Sequence, residues 1–146
     1  MSKPIYVLSG PNLNMLGQRE PEIYGSQTLD DIHKSLIERG ARHDKDVKCF
    51  QSNHEGQLVD IIQEAGNKAS GLIINAGALT HTSVAIADAI RAIDIPAIEV
   101  HMSNVYQREE FRHHSYLSPV VIGLICGFGS QSYELALDVL VTDAQK

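Results

Sequence analysis

The sequence predicts an α/β fold in which five parallel β-strands form one doubly wound sheet. Five short runs rich in β-branched residues recur along the chain, segments with helical periodicity separate most of them, and the runs are apolar throughout, as in strands buried on both faces. A chain of 146 residues has the usual length of a single domain, and no linker or repeat divides it. We therefore predict one flavodoxin-like domain over residues 1–146, with the strand order 2-1-3-4-5.

The first strand is predicted at residues 5–9, and the first helix follows after a long polar loop. An apolar stripe with helical spacing begins at Leu29, directly behind Thr28. Thr28 suits the N-cap position, with Asp31 three residues later to complete a capping box. Gly40 is expected to stop this helix.

The remaining elements alternate in the same way, with strands predicted at residues 47–52, 71–75, 97–101 and 120–126. Three further helices are predicted from apolar stripes, which comprise Leu58, Ile61, Ile62, Ala65 and Ala69, then Ile86, Ile90 and Ile93, and finally Tyr133, Leu137, Leu140 and Val141. Residues 103–119 break the alternation, because they are polar and aromatic and have no long helical stripe. We expect this segment to build a site rather than the core.

The charge balance narrows the range of partners. Twelve Lys and Arg residues against eighteen Asp and Glu residues give a formal charge of −6, which argues against a nucleic-acid-binding face but not against a small anion held by clustered arginines. Cys49 and Cys126 lie in apolar runs and are expected to be buried free thiols. The first ten residues lack signal-peptide features, and the longest apolar stretch, residues 120–129, is about half of a membrane span. The sequence therefore predicts a soluble cytoplasmic protein that contacts neither membrane nor nucleic acid.

Polar side chains follow the predicted strands at the point where each strand ends. Parallel sheets of this class bind ligands beyond the carboxyl ends of their strands. The residues at these positions are Asn12 and Asn14, then Asn53, His54 and Glu55, then Asn75 and His81, and finally Glu99, His101, Ser103, Asn104, Arg108 and Arg112. The sequence therefore predicts a site in which amides, imidazoles and guanidinium groups meet at one edge of the sheet.

The loop at residues 17–25 is a candidate lid over this site, because it follows strand 1 and is bracketed by Gly17 and Gly25. It contains Arg19 and Tyr24. A guanidinium group near a phenol favours the phenolate, which would make Tyr24 a candidate base. The alternative is an ordinary surface loop in which Tyr24 covers apolar surface.

Familiar phosphate and metal motifs are absent from the sequence. No G-x-G-x-x-G or Walker A motif is present, and Asn12 and Asn75 occupy the positions where a phospho-receiver needs acids. His54 and Glu55 start like the metal motif H-E-x-x-H, but position 58 is a leucine. Ser130 lacks the G-x-S-x-G frame of a nucleophile elbow. The sequence therefore predicts a site with no metal and no evident cofactor.

Glu99 and His101 are two residues apart on strand 4, so both side chains leave the same face of the sheet. A carboxylate beside an imidazole orients the ring and stabilises the imidazolium, which makes a general acid available. The structural alternative is an ion pair at the edge of the sheet.

The other polar residues also have two interpretations. His81 either binds an anion at the start of the next helix or only caps that helix. Asn12 and Asn75 are either site residues or turn residues. Arg108 and Arg112 have i, i+4 spacing, so on a helix they share a face, either at the site or in solvent.

Asp88 lies about 200° around its helix from Ile86, so it points away from the apolar stripe. Val84 and Arg91 share its side of the helix, and an apolar residue there is a weak indication of a subunit contact.

These groups together suit acid–base chemistry beside the carbonyl of an anionic substrate. The alternative from a different class is a non-catalytic flavodoxin-like module that binds a nucleotide or a partner protein. Such a module has no turnover and no coupling between arginine and tyrosine in its lid.

Several blocks of sequence carry a resemblance to a known family. In chain order they are SGPNLNMLGQREPEIYG, FQSNHEGQLVDIIQEA, LIINAGALTHTSVAIADAI, IPAIEVHMSNVYQREEFRHHSYLSP and GFGSQSYELAL. With them the chain closely resembles the type II 3-dehydroquinate dehydratases over nearly its whole length. Met102 stands where a branched aliphatic residue is common, and Gln57 stands where an acid is common. Neither departure removes a catalytic group.

The resemblance implies a lyase of the shikimate pathway, which leads to chorismate and the aromatic amino acids, with no metal or organic cofactor. The family removes water from 3-dehydroquinate by anti elimination, through an enolate, and releases 3-dehydroshikimate. By resemblance, Tyr24 as tyrosinate removes the C2 proton, Arg19 favours its ionised form and stabilises the transition state, and Arg108 assists. His101 is expected to protonate the leaving C1 hydroxyl, and Glu99 to orient His101.

The resemblance also implies the substrate contacts and the assembly. Asn12 is expected to hold the water or donor network that stabilises the enolate oxygen. The residues expected to bind substrate hydroxyls and carboxylate are Asn75, His81, Ser103 and Arg112, with the backbone N–H groups of Met102 and Ser103. The family forms a dodecamer built from trimers, in which Asp88 reaches the site of a neighbouring subunit.

Overall fold

The computed structural model describes residues 2–18 and 25–143 and contains the predicted five-stranded sheet. Its strands are β1 (Ile5–Ser9), β2 (Val47–Gln51), β3 (Gly71–Asn75), β4 (Ala97–His101) and β5 (Gly123–Cys126). All neighbouring pairs are parallel, and the spatial order is β2-β1-β3-β4-β5. The order reverses between β1 and β3, so the predicted doubly wound topology is confirmed.

Within the described residues, four α-helices pack against the sheet, namely α1 (Leu29–Ala41), α2 (Glu55–Lys68), α3 (Val84–Arg91) and α4 (Gln131–Asp143). Successive strand residues point to opposite faces. Val7 accordingly packs in the layer formed with α1 and α4, whereas Leu8 packs in the layer formed with α2 and α3. The core therefore consists of two apolar layers, one on each side of the sheet.

The start of α1 is built as the sequence predicts, but its end is not. The hydroxyl of Thr28 accepts a hydrogen bond from the backbone N–H of Asp31 at 3.1 Å, and the Asp31 carboxylate accepts one from the N–H of Thr28 at 3.0 Å. This capping box satisfies two N–H groups that the helix itself leaves free. The predicted stop at Gly40 is wrong, because the helix continues to Ala41. Gly40 instead permits close packing, since a Cβ there would lie 2.5 Å from the side chain of Val47.

Two strands are shorter than predicted. β2 ends at Gln51, one residue early, and β5 begins at Gly123 rather than at position 120. The residues before β5 form a 3-10 turn, Ser118–Val120, which contains Pro119. Proline has no backbone N–H to donate to a neighbouring strand, so the turn delays the start of β5.

The helical stripes are confirmed with small shifts. Ala69 and Ile93 follow the ends of α2 and α3 rather than lying within them, yet both still pack against the core, Ala69 fully and Ile93 partly buried.

The strand β5 is covered on one face only, contrary to the prediction of strands buried on both faces. Short 3-10 turns, and no α-helix, connect β4 to β5. Ile125 packs into the layer with α4, whereas Leu124 on the other face is 37% exposed. β2 is also only partly buried after its first residue. Full burial is thus restricted to the three inner strands, β1, β3 and β4.

Cys49 and Cys126 are free thiols as predicted, but both are half-buried rather than fully buried. Burial raises the pKa of the Cys49 thiol to about 12, so this residue is not a nucleophile at neutral pH. No helix in the part of the chain that the structure describes is long and apolar enough to cross a bilayer.

Candidate active site

A cavity of about 410 Å³ opens beyond the carboxyl ends of β3 and β4. This volume lies within the range of roughly 300–1,000 Å³ found for small-molecule sites. The residues that line it are Leu13, Leu16, Asn75, Gly77, Ala78, His81, His101, Met102, Ser103, Val105, Arg108, Arg112 and Gly129. The predicted edge of the sheet is therefore the edge at which a pocket forms.

The cavity borders the point where the strand order reverses, and a glycine allows the chain segments to approach there. The N–H of Gly10, just after β1, donates to the carbonyl of Asn75 at 2.8 Å. A Cβ on Gly10 would lie only 2.5 Å from the carbonyl oxygen of Ala76. Gly77 then adopts a left-handed φ of 60° and starts the 3-10 turn Gly77–His81, which forms one wall of the cavity.

The amide of Asn75 has a defined orientation. Its Oδ1 accepts from the N–H of Gly77 at 3.1 Å, and its Nδ2 donates to the hydroxyl of Tyr133 at 3.0 Å. An amide nitrogen carries two N–H groups, so one remains for a ligand in the cavity. The Tyr133 hydroxyl also forms a hydrogen bond with Ser9 Oγ, which lies 2.9 Å away. The helical stripe predicts only a core position for Tyr133, so this contact could not be read from the sequence.

Glu99 and His101 form the pair that the spacing on β4 predicts. Nε2 of His101 lies 2.6 Å from Oε2 of Glu99. The side chain of His101 is only 7% exposed and that of Glu99 only 1%. The carboxylate can only accept, so Nε2 carries the proton of this hydrogen bond and Nδ1 is the ring nitrogen left for the cavity. Glu99 does not line the cavity itself but lies behind His101.

Two serines that no sequence pattern predicts as site residues also contact Glu99. Ser115 Oγ donates to the carboxylate, with distances of 3.0 and 2.9 Å to its two oxygens, and Ser118 Oγ donates to Oε1 at 2.7 Å. Burial raises the pKa of Glu99, but the hydrogen bonds from His101, Ser118 and Ser115 outweigh this, so the pKa lies below its ordinary value. The carboxyl group is thus kept ionised inside the protein.

His81 is held by the irregular segment rather than acting as a helix cap. Its Nδ1 lies 2.8 Å from the carbonyl oxygen of His114, and a carbonyl only accepts, so Nδ1 carries a proton. In the neutral ring Nε2 is then an acceptor for a ligand. The cap of α3 is Ser83, whose hydroxyl accepts from the N–H of Ile86 at 2.9 Å. The capping interpretation of His81 is therefore wrong.

Arg108 and Arg112 both line the cavity, but they do not share a helical face. Arg108 ends the 3-10 turn Val105–Gln107 in an extended conformation, and Arg112 lies in the next turn, Glu110–His113. Glu109 between them accepts from Arg112 Nε at 3.2 Å and lies 3.7 Å from Arg108 Nε. The predicted shared face is wrong, because the extended residue at the junction interrupts the helical repeat.

Met102 and Ser103 line the cavity where the chain leaves β4. The carbonyl of Met102 accepts from the N–H of Gly129 at 2.9 Å, which attaches this segment to the loop after β5. Ser103 Oγ lies 3.4 Å from Arg108 Nη1. Both residues are thus at the position the sequence predicts.

Asn12 and Asp88, two of the predicted site residues, are not among the residues that line the cavity. Asn12 is exposed, has a left-handed φ of 71° and donates its backbone N–H to Asn53 Oδ1 at 3.0 Å. Asp88 is on the exposed side of α3, as predicted, and its carboxylate pairs with Arg91 at 3.1 Å. Arg19 and Tyr24, with most of the predicted lid at 17–25, lie outside the described residues.

The described side chains include no group of three or more His, Cys, Asp or Glu residues placed to hold a metal ion. The cavity is lined instead by an imidazole that a buried carboxylate contacts and by two guanidinium groups. This arrangement can supply a proton to a leaving group on a small anion that also carries hydrogen-bonding oxygens.

Comparisons with known proteins show which family this chain is similar to. The model of the family "Dehydroquinase class II" matches residues 3–141. A 3-dehydroquinate dehydratase of Acaryochloris marina is 58% identical over 146 residues, which covers 99% of this chain and 98% of the relative. One of Gloeothece citriformis is 59% identical over 142 residues, covering 97% and 93%. The crystal structure of a type II dehydroquinase from Propionibacterium acnes superposes with a TM-score of 0.92 at 48% identity, covering 97% of this chain and 98% of that one.

Proposed function

The chain belongs to the class II dehydroquinase family, and on this premise we propose how its cavity performs the family's reaction. The activity is the dehydration of 3-dehydroquinate to 3-dehydroshikimate, a hydro-lyase step of the shikimate pathway toward chorismate and the aromatic amino acids. The observation that carries the mechanism is the buried Glu99–His101 pair, with Nδ1 of His101 left for the cavity.

The proposed elimination has two proton transfers. Tyr24, as tyrosinate favoured by Arg19, takes the proton from C2, and the electron pair of that bond forms an enolate with the neighbouring carbonyl. Asn12 organises the donors that stabilise the enolate oxygen. The enolate then collapses and expels the C1 hydroxyl in an anti elimination, while His101 protonates it so that water leaves. No oxidant, reductant, metal or organic cofactor takes part in this balance.

His101 is the general acid in this proposal because of its surroundings. The Glu99 carboxylate accepts from Nε2 and stabilises the imidazolium, so the proton on Nδ1 is available to the leaving hydroxyl. The side chain is only 7% exposed, which limits the access of bulk water to the ring.

The cavity walls are proposed to bind the remaining substrate groups. Asn75 offers an N–H and neutral His81 an acceptor nitrogen to hydroxyls. The substrate carboxylate is expected to bind Arg112, Ser103 and the backbone N–H groups at Met102 and Ser103. Arg108 adds positive charge that favours both the anion and the enolate.

We further propose that the active form is a dodecamer built from trimers, with Asp88 contributed to a neighbouring site. Asp88 lies on the side of α3 that faces away from its own core, and Val84 on this helix is 54% exposed. An exposed apolar residue beside a charged one suits a contact between subunits. A cytoplasmic location is proposed as well, since two half-buried free thiols suit a reducing compartment.

The decisive experiment for the function is an ultraviolet assay, because the product is a conjugated enone and 3-dehydroquinate is not. The parent protein is expected to generate the absorbance of 3-dehydroshikimate. A non-catalytic binding module would leave the spectrum of the substrate unchanged, and that result would overturn the proposal.

The role of His101 is tested with His101→Ala. We expect dehydration to fall by at least about 10²-fold, the low end of what general acid catalysis contributes, while exchange of the C2 proton with deuterated solvent continues. Proton NMR of the substrate measures the exchange. His43→Ala, a change at an exposed histidine after α1, is the matched control and should keep both steps. Loss of both dehydration and C2 proton exchange in folded His101→Ala would contradict the assignment of His101 as the general acid.

A further inference from the structure

Two serines outside the cavity, Ser115 and Ser118, contact the carboxylate on which the proposed acid depends. They lie in the segment that closes the irregular region, about 16 and 19 residues after Glu99 in the chain. Neither lines the cavity. Between them they supply hydroxyl contacts to both oxygens of Glu99, at distances of 2.7 to 3.0 Å.

The hydrogen bonds of Ser115 determine the direction in which its proton points. A serine hydroxyl has one proton to donate and two lone pairs that accept. Ser115 Oγ accepts from the N–H of Leu117 at 3.0 Å and from the N–H of Ser118 at 3.1 Å, so both lone pairs are occupied. The hydroxyl can therefore only donate to Glu99. A protonated Glu99 could still accept from Ser115 but could not donate its own proton to it, because Ser115 has no lone pair left; the contact is therefore strongest with the ionised carboxylate.

Ser118 adds a second hydroxyl contact to the same carboxylate. Its Oγ lies 2.7 Å from Oε1, while Nε2 of His101 occupies Oε2. The carboxylate thus has three donors around it although Glu99 is fully buried. Hydrogen bonds to an ionised acceptor are the stronger ones, so the arrangement favours negative charge on Glu99.

We propose that Ser115 and Ser118 are positioning residues that keep Glu99 ionised and thereby keep the shared proton on His101, where dehydration requires it. This inference rests on the proposed function of His101. If the proton moves to Glu99, the imidazole becomes neutral and the pair has no acid to offer at Nδ1. The two serines thus decide on which partner of the pair the proton resides.

Hydrogen bonds, rather than neighbouring charges in the sheet, keep the buried Glu99 ionised. Its neighbours in the sheet are Ile74 on β3 and Leu124 on β5, which carry no charge. The buried residues of α3 are also apolar. Among the described residues, His101 is the titratable group in contact with Glu99, and the ring of His81 is stacked on that of His101 with 6.3 Å between centroids. Burial raises the pKa of Glu99, and the contacts with His101, Ser118 and Ser115 lower it.

The test compares Ser118→Ala with Ser115→Ala and a control. Ser118→Ala is the cleaner change, because its hydroxyl contacts Glu99, whereas Ser115 also orders the turn through two backbone N–H groups. Ser35→Ala is the matched control, since Ser35 Oγ donates to Glu134 at 2.9 Å in the same way but between α1 and α4. Ser118→Thr keeps a hydroxyl and serves as the rescue.

In Ser118→Ala we expect kcat to fall by about tenfold, equivalent to one pKa unit, with KM within about twofold of the parent. The acidic limb of the kcat–pH profile should move to higher pH, because Glu99 then takes up a proton more readily. Ser118→Thr should restore both, and Ser35→Ala should change neither. A folded Ser118→Ala with the parent kcat and pH profile overturns the inference.

Infrared difference spectra give a second readout that needs no turnover. The carbonyl stretch of a protonated Glu99, identified by its absence in Glu99→Gln, should appear at higher pH in Ser118→Ala and in Ser115→Ala than in the parent. If the parent does not convert 3-dehydroquinate but the band shifts, the proposed function fails and the inference about Glu99 stands. If the parent is active and neither the band nor kcat changes, the inference fails and the function stands.

Discussion

The orientation and protonation of single side chains at this cavity depend on partners far away in the sequence. The hydroxyl of Tyr133 on α4 accepts a hydrogen bond from Nδ2 of Asn75 and shares a second hydrogen bond with the hydroxyl of Ser9. Burial raises the pKa of Tyr133 to about 12, so the phenol stays protonated and can donate. This phenol therefore fixes which end of the Asn75 amide offers a donor to the cavity.

Removing the Tyr133 hydroxyl should disturb both stability and binding. In Tyr133→Phe, Asn75 Nδ2 and Ser9 Oγ each lose a buried partner, and we expect the free energy of unfolding to fall by about 1–3 kcal/mol. KM for 3-dehydroquinate should rise by about fivefold as the amide loses its fixed orientation, which corresponds to about 1 kcal/mol. Urea unfolding and steady-state kinetics measure the two effects. Tyr106→Phe, at an exposed tyrosine, should match the parent, and an unchanged KM in Tyr133→Phe would contradict this role of the phenol.

The buried carboxylate of Glu99 should make stability depend on pH. Its pKa is lowered in the folded protein from an ordinary value of 4.5, so its contribution is present above that value and is lost as the pH falls through the folded pKa. Glu99→Gln is expected to lower the free energy of unfolding by about 1–3 kcal/mol at pH 7. The difference from the parent should shrink below pH 4.5, because protonated Glu99 also loses its charge.

Chemical denaturation at fixed protein concentration over a pH series measures this dependence. Glu38→Gln, on the exposed side of α1, is the control and should stay within about 0.5 kcal/mol of the parent throughout. A difference between Glu99→Gln and the parent that is the same at acidic and neutral pH would refute the linkage.

At the scale of elements, the missing helix between β4 and β5 is what makes room for the site. Short 3-10 turns replace it and bring Arg108, Arg112 and the segment around Ser115 to the carboxyl end of β4. In a regular helix at this place, the backbone N–H and C=O groups would pair with one another and would not be available to side chains. Here the carbonyl of His114 is free to hold His81. The consequence is that Leu124 on β5 remains 37% exposed.

The capping box of α1 should contribute to stability but not to catalysis. Thr28→Ala removes the hydroxyl that accepts from Asp31, and we expect a loss of about 1 kcal/mol in the free energy of unfolding. The kcat of folded protein should be unchanged. Thr142→Ala near the end of α4 is an exposed threonine without a capping role and should change stability by less than about 0.5 kcal/mol. Equal effects of the two changes would show that the cap contributes nothing specific.

At the scale of the whole molecule, one chain is not a complete site if Asp88 belongs to a neighbour. Asp88 is 63% exposed and paired only with its helix neighbour Arg91 among the described residues, whereas the cavity lies at the carboxyl ends of the strands. A particle of about twelve times the 16.0 kDa mass of one chain, measured by sedimentation, is the expected assembly.

Mixed assemblies test the sharing of sites directly. Chains with Asp88→Asn and chains with His101→Ala are each expected to have low activity alone. Co-assembled, they should form some sites with His101 from one chain and Asp88 from the other, so the activity should exceed the average of the two separate variants. Activity equal to that average would argue that each site uses residues of a single chain.

Much of this molecule could be predicted because short spacings and periodic patterns of apolar and polar residues along the chain indicate its strands, helices and caps. The strand order followed from the alternation of apolar runs and helical stripes, and the Glu99–His101 pair followed from the two-residue period of a strand. The capping box of Thr28 with Asp31 followed from a spacing of three residues. The resemblance over nearly the whole chain identified the family and the reaction.

The sequence alone determined the alternation of strands and helices and which strand carries the pair of acid and carboxylate, because those features depend on periodicities of two to four residues, and the strand order was predicted as the one typical of that fold class. Only the tertiary structure decided that Tyr133 orients Asn75 and that Ser115 donates to Glu99. Such contacts depend on packing and on the hydrogen bonds that each hydroxyl has already made, and no spacing along the chain encodes them. The tertiary structure also decided that Arg108 and Arg112 reach one cavity from separate turns, where a helical repeat had predicted a shared face.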